Sequence, residues 1–318
     1  MTIYSGTINA YGGVNSAGIG GAYNAPAGGS VTIYGGTITA GKDSSSFGIG
    51  WDQNPLDLIA IHGGDVTATA ETYSKAAAIG GGEDSTGGKI LITGGKVTAN
   101  GGDVRIGSGY RGNGIEITIS GGEVTATGSP SGGAGIGGGT YGGHVSITIS
   151  GGTVDATGSQ RASAIGGGKN AVDAVPSADI TITGGTVTAT VEPSQLSKGS
   201  SAFGAHDDKK TSIKISGGTI AKFSDTSSRN SADVLFTVAP TLNYPNGYQW
   251  RTSSNGEYVS SATTPYTWDN THTYVEFTEG AGTPRAGGDD AGDGSLVNLP
   301  QTGGMLTLKA IPWFSWLP

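Results

Sequence analysis

Ile117-Thr118-Ile119-Ser120-Gly121-Gly122-Glu123-Val124-Thr125-Ala126-Thr127 decides the fold, because nearly the same string returns as ITISGGTVDAT from Ile147 and ITITGGTVTAT from Ile180. Looser copies begin at Met1 (MTIYSGTINA), Val31 (VTIYGGTITA), Ile59 (IAIHGGDVTAT), Ile90 (ILITGGKVTAN) and Ile213 (IKISGGTIAKF). Taking residues 6, 36, 64, 95, 122, 152, 185 and 218 as a common mark, the copies recur at intervals of 30, 28, 31, 27, 30, 33 and 33 residues. A fixed period of this size means that each unit is one supersecondary element. Three places before the mark the residue is always isoleucine: Ile3, Ile33, Ile61, Ile92, Ile119, Ile149, Ile182 and Ile215. Apolar and polar residues alternate on both sides of the glycine pair, and the apolar ones are mostly β-branched, which predicts two half-buried strands per unit with a glycine corner between them.

A second motif lies between the copies: SAGIGG at 16, SFGIGW at 46, AAAIGG at 76, VRIGSG at 104, GAGIGG at 133, SAIGGG at 163 and SAFGAH at 201. It adds a third short strand and one more inward residue per unit, Ile19, Ile49, Ile79, Ile106, Ile136, Ile165 and Phe203. Strand, Gly-Gly corner, strand, loop and short strand make one coil of a parallel β-helix, so the expected fold is an all-β solenoid of about eight coils over residues 1–222. An antiparallel sandwich is the competing reading, since glycine pairs also make hairpins, but identical residues every ~30 positions favour ladders. Residues 223–280 are aromatic-rich and non-repetitive, with Asn255-Gly256 between two alternating runs, and read as a small β module covering the last coil. Residues 281–298 have the composition of a flexible acidic linker. Met1 already falls in the first ladder, so further coils and a signal peptide are expected upstream.

Composition narrows the function classes. Of 318 residues 61 are glycine, only 13% are charged and none is cysteine, which excludes a disulfide scaffold and leaves stability to packing. A net charge of -8 argues against nucleic acid, whose phosphates require clustered Lys and Arg.

Directly after the linker stands Leu299-Pro300-Gln301-Thr302-Gly303. These residues resemble the LPxTG sorting signal of sortase-anchored surface proteins of Gram-positive bacteria. The resemblance implies that residues 299–318 are a sorting signal, that a sortase thiolate attacks the Thr302 carbonyl, and that the threonyl group passes to a peptidoglycan amine. The chain would then be a sortase substrate, extracellular and fixed to the cell wall. Its 15 residues after Gly303 carry no closing basic cluster, so the signal is shorter than the family pattern. The ITISGGEVTATG and AGIGGG strings likewise resemble glycine-rich β-helical carbohydrate-binding domains of such surfaces.

Catalysis finds little support. Asp65, Lys96 and Glu123 follow the glycine pair on successive coils and read as a cross-strand charge ladder. The four histidines are scattered without metal-ligand spacing. Outward Thr-x-Thr pairs such as Thr67/Thr69 resemble ice-binding solenoids, yet Asp65, Lys96, Glu123 and Asp155 interrupt the array, and β-propensity explains the threonines. The loops after the third strand are more informative. They carry Tyr23, Trp51, Asp52, Asn54, Tyr110, Arg111 and Tyr141, with Glu83 and Asp84 beside them, and rings next to amides and carboxylates suit a polysaccharide. Tyr4, Tyr34 and His62 form a second outward patch. No cofactor is required; a Ca²⁺ bridge from Asp52, Glu83 or Asp84 to an acidic glycan is the one metal role left open. The expected function is therefore a non-enzymatic, wall-anchored surface protein whose β-helix displays a glycan-binding or adhesive face to a polysaccharide or host surface ligand. The alternatives are a stalk or protein-binding adhesin without glycan binding, and a polysaccharide lyase or hydrolase.

Overall fold

The computed structural model describes residues 1–280 except 14–15, 23–27, 42–45, 54–56, 73, 128–131, 159–160, 170–176, 192–199, 206–210, 222–233, 270–271 and 273. The described residues are all strand, turn and loop, and the strands stack in parallel from coil to coil.

Three rows of strands build the solenoid. The first contains Thr2–Ile3, Ser30–Ile33, Leu58–Ile61, Lys89–Ile92, Ile115–Ile119 and Val145–Ile149, and continues into the front of the long strands Ala178–Val191 and Ser212–Ala221. The second contains Thr7–Ala10, Thr37–Ala40, Asp65–Thr69, Lys96–Asn100, Glu123–Thr127 and Thr153–Gly158, and continues into the rear of the same two long strands. Both rows belong to one sheet because the glycine pair only bends the strand. The third row, Ser16–Gly20, Ser46–Trp51, Ala77–Gly81, Val104–Gly107, Ile136–Gly137, Ser163–Gly166, Ser201–Gly204 and Val234–Phe236, is a separate sheet.

Register follows the sequence period without slippage over most of its length. Ile92 opposes Ile61 and Ile119, Ile119 opposes Ile149, and Ile149 opposes Ile182. In the second row Val97 lies between Val66 and Val124, and in the third Ile106 lies between Ile79 and Ile136. All of these side chains are buried in one apolar cluster. Met1 and Ile8 depart from the full burial of the later copies: Met1 is 63% exposed and Ile8 half-buried.

Parallel stacking explains the glycine content at two kinds of position. The glycine near the end of the first seven third-row strands has φ between +122° and +155°, and a Cβ added to Gly80 would lie 2.0 Å from the Gly107 carbonyl oxygen of the next coil. At the corner, Gly122 takes φ +87°, the left-handed geometry that lets the strand bend. No larger residue fits the first position without pushing the coils apart.

The C-terminal module closes the ladder. Val234–Phe236 adds to the third row, with Phe236 stacked on Phe203 at 5.3 Å, and Thr241–Leu242 pairs in parallel with Lys214 and Ile215. Glu276–Glu279 then pairs antiparallel with Ile220 and Ala221, and also with Tyr248–Arg251, whose other edge pairs with Val259–Ser260. Phe277, Val275 and Tyr244 extend the same core. Beside them Arg251, Tyr258 and Tyr274 donate to the buried Glu276 carboxylate. Burial opposes that charge, but the hydrogen bonds from Tyr258, Tyr274 and Arg251 together outweigh it and hold the Glu276 carboxyl below the usual range.

The ladder predicts a large penalty for an inward charge. Ile119→Asp exchanges a fully buried isoleucine for a carboxylate between Ile92 and Ile149. It should cost more than the ~1.5–3 kcal/mol of lost apolar burial, because the charge must also be desolvated or neutralised. Chemical denaturation of wild type and variant measures it; a loss under about 1 kcal/mol would contradict the register.

Candidate functional site

Three consecutive coils leave the third strand through the same four-residue frame, 82–85, 109–112 and 139–142. In each, the fourth N–H donates to the first carbonyl, at 3.4, 2.9 and 2.9 Å. The third residues, Asp84, Arg111 and Tyr141, each have φ 56°, whereas the second residues do not have positive φ, so the frame is a type II turn. Holding a non-glycine residue there is uncommon, and the coil-to-coil bonds show what fixes it. The Asp84 N–H donates to Tyr110 O at 2.9 Å, Arg111 N–H to Thr140 O at 2.9 Å, and Tyr141 N–H to Lys169 O at 2.8 Å. Asp84, Arg111 and Tyr141 thus form an exposed row, one residue per coil.

The second turn position runs beside it as Glu83, Tyr110 and Thr140. Thr140 is drawn inward: its N–H and Oγ1–H donate to Asp103 Oδ2 and Oδ1 at 2.6 and 2.7 Å. Asp103 is itself buried, next to the fully buried Arg105, whose Nη1 donates to Gly133 O and Ala134 O at 3.3 Å. Burial pushes the Asp103 carboxyl above the ordinary range, opposed by the two Thr140 hydrogen bonds and the Arg105 charge. Tyr110 is half-buried. The Lys75 ammonium lies 5.3 Å from its ring centroid, the Arg111 guanidinium 5.1 Å, and the Tyr141 ring 5.7 Å away in an edge arrangement at 72°. Lys75 also donates to Glu83 Oε1 at 2.6 Å.

The sequence groups Trp51, Tyr110 and Tyr141 together in the loops after the third strand, and the structure places them at different positions along the coil. Counted from Ile49, Ile106 and Ile136 these residues stand two, four and five places on, so the in-register strands give them different backbone positions; Trp51 opposes Gly81, well before the turn. Tyr110 is covered by two cations and a ring edge, whereas Tyr141 is 44% exposed and is the more accessible of these two rings. Asp52 is buried against the next turn, where a Cβ on Gly82 would meet its Oδ1 at 2.3 Å, so it supports the turn instead of facing solvent. Burial raises the Asp52 carboxyl, and the charges of Glu83 and Asp84 add to the effect. Tyr23, Asn54 and the side chain of Trp51 lie outside the described residues, as do Leu299, Pro300, Gln301, Thr302 and Gly303. Among the described residues no group of three or more His, Asp or Glu side chains is arranged to hold a metal ion. Lys75, Asp103 and Thr140 were not singled out from sequence; the only signal was the Gly-Gly-Asp string at 101–103.

The other outward patch is a true stack. Tyr4 and Tyr34 lie 5.3 Å apart at 6°, and His62 follows at 5.0 Å and 19°, with its Nδ1 2.8 Å from Thr93 Oγ1. Tyr34 is stacked between the other two rings, while Tyr4 has a stacking partner on one face only and is 73% exposed.

A family model described as a beta helix repeat matches residues 2–23, 31–50, 59–83, 90–115, 117–140 and 147–169. The chain is a β-helix repeat protein. The family model thus counts six turns in this β-helix repeat protein, where the glycine-pair spacing suggested eight. Both later copies, from Ile180 and Ile213, lie beyond residue 169, where strand, corner and strand fuse into Ala178–Val191 and Ser212–Ala221 and the spacing lengthens to 33. No curated protein and no solved structure matches the chain.

Asp103 gives a pH prediction. Its folded carboxyl titrates above the unfolded value, so its contribution to stability is full below the ordinary carboxylate pKa and is lost as pH rises through the raised folded one. The difference in Tm between wild type and Asp103→Asn should therefore move against wild type as pH climbs through that window. A difference that moves in favour of wild type would contradict the burial argument.

Proposed function

We propose that this β-helix repeat protein is a surface-displayed binding scaffold whose type II turn edge engages a glycan, and that its C-terminus is joined to peptidoglycan by a sortase acting at Thr302. One observation carries the glycan reading: the exposed row Asp84, Arg111 and Tyr141, set on a rigid, hydrogen-bonded frame beside Lys75 and Glu83. A sugar ring has an apolar C–H face and a rim of hydroxyls. Tyr141 offers a ring for the face, and Arg111 and Asp84 offer a donor and acceptors for the rim. Because the row is spaced by coils, a chain of sugars could follow it with no rearrangement of the protein, which keeps the entropy cost of binding low. The mixed charge of the row suits neutral glycans; an acidic glycan would need Arg111 and Lys75, or a Ca²⁺ bridge from Asp84 or Glu83. Sorting rests on the resemblance of Leu299, Pro300, Gln301, Thr302 and Gly303 to the LPxTG signal, and implies a cell-wall location on a Gram-positive bacterium.

The two halves are tested separately. In affinity electrophoresis through neutral and acidic polysaccharides, with and without EDTA, wild type should be retarded in at least one gel. Tyr141→Ala should weaken that binding by roughly 1 kcal/mol, the scale of a lost aromatic contact, with Tm unchanged. Wild type migrating freely through every gel would leave the stalk reading, and release of reducing sugar would favour the hydrolase instead. For the terminus, incubation with a sortase and triglycine should give a product ending at Thr302, which Thr302→Ala abolishes; unchanged wild-type mass beside a processed control substrate would remove the sorting claim.

A further inference from the structure

Outside the solenoid, the C-terminal module holds a cleft of ≈ 500 Å³ lined by Trp250, Thr264, Pro265, Thr267, Trp268, Asp269 and His272. That volume lies within the ~300–1,000 Å³ of small-molecule sites. The wall is built in advance of any ligand. Trp250 Nε1–H donates to Thr264 O at 2.9 Å, and its indole meets Tyr266 edge-on at 5.3 Å. Tyr266 in turn packs edge-on against the buried Phe277 at 4.9 Å, and its hydroxyl is 2.9 Å from His272 Nδ1. Burial, with the Asp269 and Tyr248 charges adding to it, lifts the Tyr266 hydroxyl to about 12, so it stays protonated at neutral pH and can serve His272 as a fixed donor. One indole is therefore locked, with its only polar atom satisfied, while Trp268 is 39% exposed across the same cleft.

We infer that this cleft is a saccharide subsite, separate from the turn edge of the solenoid, in which Trp250 and Trp268 contact the C–H faces of a neutral sugar while Asp269, His272 and the threonines bind its hydroxyls. The alternatives fit the geometry less well. An extended peptide would need a free strand edge, but Tyr248–Arg251 is paired on both sides. An anionic ligand would meet Asp269 in a chain of net charge -8. A quaternary ammonium gains most when rings enclose and desolvate it, whereas Thr264, Pro265, Thr267, Trp268 and Asp269 stand open to solvent. An open cleft with two indoles and a half-polar lining matches a ligand that is itself amphiphilic.

The experiment uses the full chain and three defined probes, cellohexaose, maltohexaose and chitohexaose, followed by tryptophan fluorescence and by calorimetry. At least one hexasaccharide should bind. Trp268→Ala should weaken it tenfold or more with an unchanged melting curve, since this side chain is largely exposed, and Trp268→Tyr should recover part of the affinity. Tyr11→Ala, at an exposed solenoid ring that belongs to neither site, should leave this binding as in wild type, so the loss is assigned to Trp268 and not to the removal of any surface ring. Failure of all three sugars to bind, or binding that Trp268→Ala leaves intact, overturns the inference. Binding of tetramethylammonium with Trp268-dependent quenching, in the absence of any sugar response, would assign the cleft to a cation and also overturn it.

Discussion

Every coil must place the same shape at the same depth as its neighbours, because parallel strands in register put each inward side chain directly above and below its counterparts. Ile119 has Ile92 beneath it and Ile149 above it, and a residue of different size would open a void or a clash on both sides. The repetition of isoleucine is thus a packing requirement repeated along the chain. The glycine of the third strand obeys the same constraint through the backbone, as at Gly80, where the next coil's carbonyl occupies the space of a side chain.

What the ladder fixes in the core it leaves free at the corners. The turn after the third strand keeps its frame while its outward residue changes from Asp84 to Arg111 to Tyr141. Thr140 shows how the core reaches that edge: the buried Asp103 of the preceding coil takes both of its donors, so the turn is held from inside and Tyr141 is left outside. The frame thus lets the outward residue change from coil to coil, with the coil-to-coil hydrogen bonds holding non-glycine residues at positive φ.

The repeat made the solenoid legible in the sequence because period and packing are the same thing here. Alternation identified Ile92, Val97 and Ile106 as inward, and the structure buries all three. The candidate site was legible only as a region. Side-chain period fails in turns, so counting residues from Ile49, Ile106 and Ile136 could not reveal that Trp51, Tyr110 and Tyr141 occupy different positions, nor that Lys75 from a distant loop would cover Tyr110. Arg105 was hidden for a related reason: the third strand is buried on both faces, so alternation gave no sign that the residue before Ile106 would be inside. The C-terminal module has no repeat at all. Its aromatic content was visible, but which rings close the core, like Phe277, and which line a cleft, like Trp268, depends on pairings that no local pattern encodes.

Coil-to-coil register is the claim on which the rest stands, and spin labelling tests it directly, since the chain has no cysteine of its own. Thr67, Thr98 and Thr125 are Cα partners on three successive coils with half-exposed side chains. With all three replaced by cysteine and labelled, neighbouring labels would sit about 4.8 Å apart. The parallel ladder predicts an exchange-narrowed single-line spectrum from the triple variant, against three lines from each single variant. A three-line spectrum from the fully labelled triple variant would contradict it and return the sandwich to consideration.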